Sequence, residues 1–377
     1  MKKALVVATV YKFLSFEISD MNILKKMGYE IHTATNMSET DWLKDDGSLD
    51  FLEVKKHQID FGRLPFSKQS IIAYRQLKKL LNEEHFDVIH CHTPVAATIT
   101  RMVAKPFRKQ GVKIIYTSHG FHFHKLSSKL SWLIYYPIEY VMAFFTDMII
   151  TINKEDFDVI KKFHVKEKRY IPGVGVDIQY ISSFSSDKEV LFTQYGIPRD
   201  AFVLMSVGEL SDRKNHEIVI KAMSKLNDTS IYYIICGTGK KEKNLKNMAM
   251  QLGLDKRVIF LGYQPHDQVI KLLHAIDVGV LPSKIEGLGL AGIETLASGK
   301  PLIASGVHGI KDYVIENETG IRCNPLNASD FSAAIIKLKD DKNLYKKCCE
   351  NAIQMSWKFD IRNVQQLMLK NYKRLGL

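Results

Sequence analysis

The sequence predicts an α/β protein made of two doubly wound domains. Three observations lead there. Short β-branched runs alternate with helical patterns along the whole chain. Those runs are apolar almost without interruption, as expected of parallel strands covered on both faces. The strand–helix–strand plan also occurs twice. A chain of 377 residues leaves each half long enough to bury its own core.

In chain order, the first half offers the strands "ALVVATV", "YEIHTAT", "FDVIHCHT", "VKIIYTSHG", "DMIITIN" and "KRYIPGV". The first of these follows Met1-Lys2-Lys3 and could be mistaken for a signal peptide. Its apolar run is only about seven residues and lacks a small-residue cleavage site, so it reads as a strand. "KQSIIAYRQLKKLLNEE" is helical. "KLSWLIYYPIEYVMAFF", residues 129–145, is apolar nearly all round. It is either a buried helix or an aromatic element (Trp132, Tyr135, Tyr136) resting on a membrane beside basic sequence. The second half supplies "FVLMSVGEL", "IYYIICGTG", "VIFLGY", "DVGVLPS" and "KPLIAS", with helices including "NHEIVIKAMSKL" and "HDQVIKLLHAI". The Ser-rich "SSFSSDKEV", residues 182–190, marks the expected join. Domains are therefore expected at 1–185 and 186–355. Residues 356–377 read as one amphipathic helix that packs back on the first domain.

Composition narrows the function. Apolar residues make up 46 % and charged residues 25 %, a globular balance. The five cysteines form no C-x-x-C pair, which argues against a disulfide framework or zinc ribbon and for a reducing cytosol. No run reaches the roughly 18 apolar residues of a spanning helix. Net charge is +12, from 53 basic and 41 acidic residues, and favours an anionic partner: nucleic acid, anionic lipid or a phosphorylated small molecule. Between Asp87 and Glu139 there is no acidic residue. That interval holds Arg101, Lys105, Arg108, Lys109, Lys113, Lys125 and Lys129. It reads either as a solvated face or as an anion-facing surface.

Ligands of open parallel sheets bind beyond the carboxyl ends of strands. After "DVGVLPS" comes Glu286, then "GLGLAGIETLAS", read as a helix. Gly287 and Gly289 let a ligand approach the backbone, and the helix amino terminus suits phosphate. Glu286 can address what the phosphate carries. Glu294, further into the helix, can accept two hydrogen bonds from a vicinal diol such as ribose. Otherwise the pair is a glutamate favouring the dipole and another on a solvated face. Arg213 and Lys214 follow a strand in "SVGELSDRKNHE" and can grip phosphate, unless they are merely solvated. "CGTGKKEK" lacks the P-loop spacing, so an ATPase reading fails, but its Gly237 and Gly239 could still border a base or phosphate. No G-x-G-x-x-G follows the first strand, which weakens a dinucleotide dehydrogenase. His90, His92, His119, His122 and His124 make no recognised ligand pattern. His119 ends a strand, where a neutral imidazole could address a sugar hydroxyl or a developing charge.

These residues resemble a known family. Two Rossmann-like halves with E-x7-E in the second, together with "VGELSDRKN", "LGYQ" and "ASGKPLIAS", resemble the GT-B retaining glycosyltransferases of family four. "HCHTPVAATITR", "YTSHGFHFHK", "PIEY" and "TINKEDF" resemble its capsule and exopolysaccharide (EpsD-like) branch. The resemblance covers essentially the whole chain. It implies two domains facing across a cleft, the first binding acceptor and the second a nucleotide sugar. Glu286 would contact the donor sugar and Glu294 the ribose. Arg213 and Lys214 would neutralise the diphosphate, assisted by the amides of Gly289 and Leu290. His119 would face the sugar from the first domain. Gly237, Gly239, Gly262 and Tyr263 would border the base. Where many members have Gly-Arg-Leu, this chain has Gly208-Glu209-Leu210, and Arg213 would stand in for the missing arginine. The implied reaction is metal-independent transfer, with no cofactor, from a UDP-sugar to a lipid-diphosphate-linked glycan. It would take place at the inner face of the cell membrane, with the protein cytoplasmic or peripheral. A nonhydrolysing UDP-sugar epimerase shares the two halves but uses no acceptor. A basic nucleic-acid-binding protein would fit the pI near 9.2, but no recognised nucleic-acid motif is present.

Overall fold

The computed structural model describes residues 1–38, 47–62, 64, 67–125, 127–186 and 188–377. The chain divides into two units. Met1–Gly175 with Arg362–Leu377 form the first, and Val176–Ile361 the second. The division thus falls at Gly175, ahead of the expected join at 182–190, of which Asp187 lies outside the described residues. The reason is local. Val176 N donates to Phe359 O, and Val176 O accepts from Ile361 N, so the two chain crossings are bonded to each other.

Among the described residues the first unit carries seven strands: β1 (Lys2–Val10), β2 (Tyr29–Asn36), β3 (Lys55–Gln58), β4 (Val88–His92), β5 (Lys113–Ser118), β6 (Met148–Thr151) and β7 (Glu167–Tyr170). They form one parallel sheet in the order β3-β2-β1-β4-β5-β6-β7. Strand order reverses between β1 and β4, the topological switch point. The helices are α1 (Ile18–Lys26), α2 (Lys68–Glu83), α3 (Pro94–Ala104), α4 (Lys129–Ala143) and α5 (Lys154–Ile160). The side chain of Ser67 caps α2 by accepting from Ser70 N, and Ala73, Leu77, Leu80 and Leu81 form its buried stripe. Strand β3, "KKHQ", was not apparent in the sequence. It is a polar edge strand exposed to solvent, so it carries no apolar run.

The second unit repeats the plan. Its strands are β8 (Phe202–Val207), β9 (Ile231–Cys236), β10 (Val258–Gly262), β11 (Val278–Leu281), β12 (Leu302–Ser305) and β13 (Gly320–Cys323). They form a parallel sheet ordered β10-β9-β8-β11-β12-β13, with the switch between β8 and β11. The edge strand β13 was also missed. Its helices are α6 (Ile178–Ser182), α7 (Lys188–Thr193), α8 (His216–Met223), α9 (Glu242–Gln251), α10 (His266–Ala275), α11 (Leu290–Ala297), α12 (Ala328–Asp340) and α13 (Lys342–Ser356). Successive residues of a strand face opposite sides. Leu204, Tyr233 and Ile235 enter one core, and Val203, Met205 and Ile234 the other. That is why these strands read as unbroken apolar runs.

Residues 356–377 are not a single helix. A 3-10 turn at Trp357–Phe359 separates α13 from α14 (Ile361–Arg374). The break is where residues 359 and 361 bond to Val176. Helix α14 belongs to the first unit and buries Val364, Met368 and Tyr372 there.

Two expectations about the acid-free stretch change. Arg101 is no surface cation. It is fully buried, lies 2.9 Å from buried Glu139 and stacks over Tyr116 at 4.1 Å. Arg108 is committed to Asp147 at 2.7 Å. Helix α4, in turn, is not a buried helix. It buries Glu139, Met142 and Ala143 and leaves Leu130, Trp132, Leu133, Ile134 and Val141 exposed. No helix among the described residues is long and apolar enough to cross a membrane.

Candidate active site

The loops after β8 and β11 meet at the switch point of the second unit. Asn215, buried and at φ 59°, donates from Nδ2 to Pro282 O at 3.0 Å and to Pro325 O at 2.8 Å. Lys284 N donates to Arg213 O at 2.8 Å. These bonds fix "DRKN" beside "PSKIEG". Lys214 Nζ therefore reaches Glu286 Oε2 at 2.5 Å, and Ser283 Oγ donates to the same oxygen at 3.0 Å. Arg213 Nη1 lies 3.4 Å from both carboxylate oxygens and 3.3 Å from Ile285 O.

Burial alone would push the Glu286 carboxyl up. The charges of Lys214 and Arg213, with hydrogen bonds from Lys214 and Ser283, outweigh it and hold the group below the ordinary carboxylate range. Glu286 is thus a buried anion held by two cations that an anionic ligand can recruit. Helix α11 starts beside it, three residues later than the sequence suggested, because Gly289 adopts φ 85° as its amino-terminal cap. A Cβ on Gly289 would come within 2.9 Å of Glu286 Cγ, and one on Gly292 within 2.5 Å of the Tyr313 hydroxyl. That hydroxyl donates to Leu288 O at 2.8 Å, fixing the turn. The amides of Leu290 and Ala291 open α11 and offer an anion-binding end, while Gly292 N already donates to Gly289 O at 3.0 Å.

Glu294 sits one turn inside α11. His266 Nε2, at the start of α10, contacts its Oε1 at 3.0 Å. This hydrogen bond, over the opposing effect of burial, holds His266 above its ordinary range. Tyr180 stacks alongside His266, with centroids 6.5 Å apart, and donates to Asp267 at 2.5 Å.

The glycines after β9 have a structural use. A Cβ on Gly237 would fall 2.0 Å from Gly208 O, and one on Gly239 2.5 Å from Leu210 O. Leu210 N donates to Thr238 O, and Gly237 N to Gly262 O. The loops after β8, β9 and β10 are zipped backbone to backbone, and only glycine permits that approach. Gly262 closes this edge with φ 65°, and Tyr263 beyond it is 78 % exposed.

The structure therefore brings Arg213, Lys214, Glu286, Gly289 and Leu290 together, with Glu294 further along α11. His119 lies in the other unit, directly after β5. Sequence reasoning missed Ser283, Asn215, His266 and Tyr313. The first two flank residues it singled out, whereas His266 and Tyr313 arrive from separate elements with no local signal. It also missed Glu17. Its carboxylate, with His92 and His119, places three potential metal-ligand atoms within 4.8 Å of one another, the one such group among the described residues.

Comparison with known proteins agrees with this architecture. Residues 187–355 match the family "Glycosyl transferases group 1", and residues 3–153 match "Glycosyl transferase 4-like". The chain is 32 % identical to EpsD of Bacillus subtilis (strain 168), described as a glycosyltransferase, over 97 % of this chain and 95 % of that protein. It is 31 % identical to the UDP-Gal:alpha-D-GlcNAc-diphosphoundecaprenol alpha-1,3-galactosyltransferase of Escherichia coli, over 74 % of this chain and 73 % of that one. Among solved structures, Anabaena Alr3699/HepE in complex with UDP and glucose superposes with a TM-score of 0.79 at 18 % identity, covering 99 % of this chain and 100 % of that one. WaaG, a glycosyltransferase involved in lipopolysaccharide biosynthesis, superposes with a TM-score of 0.72 at 16 % identity, covering 97 % and 98 %. Two parallel sheets with this strand order, matched along both halves, show that the chain belongs to the group 1 and 4-like glycosyltransferases and is an enzyme of the GT-B fold.

Proposed function

We propose that this glycosyltransferase moves a sugar from a UDP-sugar to a glycan on a lipid diphosphate, with retention at the anomeric carbon, during exopolysaccharide or capsule assembly. The observation that carries the donor reading is the pairing of Lys214 and Arg213 with buried Glu286 at the amino end of α11. A diphosphate there would be met by two cations and a helix terminus. Stabilisation of the leaving group needs nothing further, so no metal is invoked for it. As the bond from the anomeric carbon to the diphosphate oxygen breaks, the acceptor hydroxyl attacks from the same face. Its proton passes to the departing phosphate. Glu286 accepts hydrogen bonds from sugar hydroxyls, Glu294 holds the ribose diol, and His119 addresses the reacting sugar. Gly237, Gly239, Gly262 and Tyr263 border the base. The relatives' names support this chemistry: one uses UDP-Gal and a diphosphoundecaprenol-linked acceptor, and one solved neighbour holds UDP and glucose.

A lipid-linked acceptor brings the enzyme to the cytoplasmic membrane surface. Helix α4 supports a peripheral mode. Its outer face presents Leu130, Leu133, Ile134 and Val141, with Lys125 and Lys129 exposed at its start. Apolar residues flanked by lysines suit an anionic bilayer.

The test is a thermal-shift screen of UDP-sugars, followed by transfer to N-acetylglucosamine-diphospho-lipid. Glu286→Ala and Glu294→Ala are expected to abolish the shift or the transfer, and unchanged values for both would refute the site. Flotation with phosphatidylglycerol liposomes is expected for the wild type and lost in Leu133→Ser/Ile134→Ser. Equal flotation with neutral liposomes would refute the anionic-bilayer reading, and no flotation with either would refute the membrane reading.

A further inference from the structure

The switch point of the first unit holds a cluster that the donor chemistry does not use. Strand β1 runs directly into a 3-10 helix, Tyr11–Glu17, which ends on Glu17. His92 is the last residue of β4. Thr93, at φ 58°, ties the two strand ends together, accepting from Thr9 N at 2.9 Å. His119 follows β5, the next strand over. Glu17 is only 3 % exposed and His92 fully buried, whereas the His119 side chain is 17 % exposed. Four atoms of the three side chains converge. Glu17 Oε1 lies 3.2 Å from His119 Nε2, His92 Nδ1 lies 3.2 Å from the same Nε2, and Glu17 Oε2 lies 3.5 Å from His92 Nδ1. Phe13 packs edge-on against the His119 ring, with centroids 4.8 Å apart.

The surroundings assign the charges. Burial keeps His90 neutral, its value pushed down to about 3, and both its ring nitrogens are bonded, to Tyr372 and Thr117. Burial also keeps His92 neutral. Asp20 is pushed well up, first by burial and then by Glu17. Glu17 is buried, and its Oε1 accepts no hydrogen bond. A buried polar oxygen needs a donor in reach. The candidates facing it are His92 and His119.

We propose that Glu17 and His92 are positioning residues for His119. They hold its proton on Nε2, so that Nδ1 is the ring nitrogen presented to substrate. Which nitrogen of an imidazole carries the proton is set by what faces the other. Here the ring's polar contacts with Glu17 and His92 are both at Nε2. The buried side of the sheet end thus fixes the tautomer that the exposed side uses. The proposal rests on the transferase reading of His119. A triangle of this size would also fit a tetrahedral ion at about 2.0–2.1 Å from each ligand, and the experiment separates the two.

Glu17→Gln, His119→Ala and the double variant are compared for transfer from a UDP-sugar to N-acetylglucosamine-diphospho-lipid. Ring 15N spectra are recorded alongside. Glu17→Gln is expected to lower kcat by about 10- to 100-fold, with donor KM within about twofold and Glu17→Asp restoring part of the loss. In the His119→Ala background the same change should cost less than about twofold, because coupled residues do not add. The His119 ring should show Nε2 protonated in the wild type and mixed tautomers in Glu17→Gln. Losses that multiply, an unchanged ring signature, or one equivalent of metal that Glu17→Gln releases would overturn the proposal. An unchanged rate in His119→Ala would instead overturn the transferase role on which it rests.

Discussion

Lys214→Met isolates the charge balance of the donor site. Lys214 and Glu286 expose only 13 % and 11 % of their side chains, so the substitution leaves an anion buried without its closest cation. Breaking a buried pair from one side costs about 3–5 kcal/mol. Arg213 Nη1 remains 3.4 Å away and Ser283 still donates, so the expected loss lies at the lower end, about 3 kcal/mol. The pH dependence follows from the sign of the Glu286 shift. Its folded value lies below the unfolded one, so its stabilising contribution is present above the ordinary carboxylate range and disappears as pH falls through the folded value. Urea unfolding should therefore show the full loss at pH 7 and a much smaller one near pH 3. Adding Glu286→Gln should return about half of the loss or more, because the orphaned charge is gone. Equal losses at both pH values, or additive losses in the double variant, would refute the reasoning.

Other outcomes follow from the same structure. Arg101→Met should destabilise by about 3–5 kcal/mol, since it strands Glu139 in the interior. Chemical denaturation measures this, and partial recovery in Arg101→Met/Glu139→Gln is expected. His266 is held above its ordinary range by Glu294, so its small contribution is complete below the unfolded value and is lost as pH rises through the folded one. His266→Ala should thus lower Tm more at pH 5.5 than at pH 8.5, and the reverse order would contradict the pairing.

Much of the fold was legible because central parallel strands must be apolar on both faces. Every strand read from the sequence is present. The two it missed are β3 and β13, edge strands of the two sheets: "KKHQ" is polar and only half-buried, and "GIRC" is four residues long and interrupted by the exposed Arg322. Strand ends also pointed to Arg213, Lys214, Glu286 and Glu294, because the doubly wound plan says where to look. What stayed hidden depends on distant partners. Arg101 read as a surface cation until Glu139, on another helix, claimed it. Helix α4 read either as a buried helix or as an aromatic element on a membrane because its composition is apolar nearly all round; it turns its one carboxylate inward and its leucines outward. Gly237 and Gly239 read as ligand-facing, but the neighbouring loop already needs their missing side chains. Glu17 gave no signal at all. Only the reversal of strand order between β1 and β4 brings it to His92 and His119.

The most direct measurement is a crystal structure of the protein with UDP. The account predicts the diphosphate at the amino end of α11, within hydrogen-bond reach of Lys214 and the Leu290 amide. It also predicts the ribose diol on Glu294, with the Lys214–Glu286 contact loosened as the lysine turns to phosphate. UDP bound elsewhere, or bound here with the ribose away from Glu294 and the Lys214–Glu286 pair intact, would contradict it.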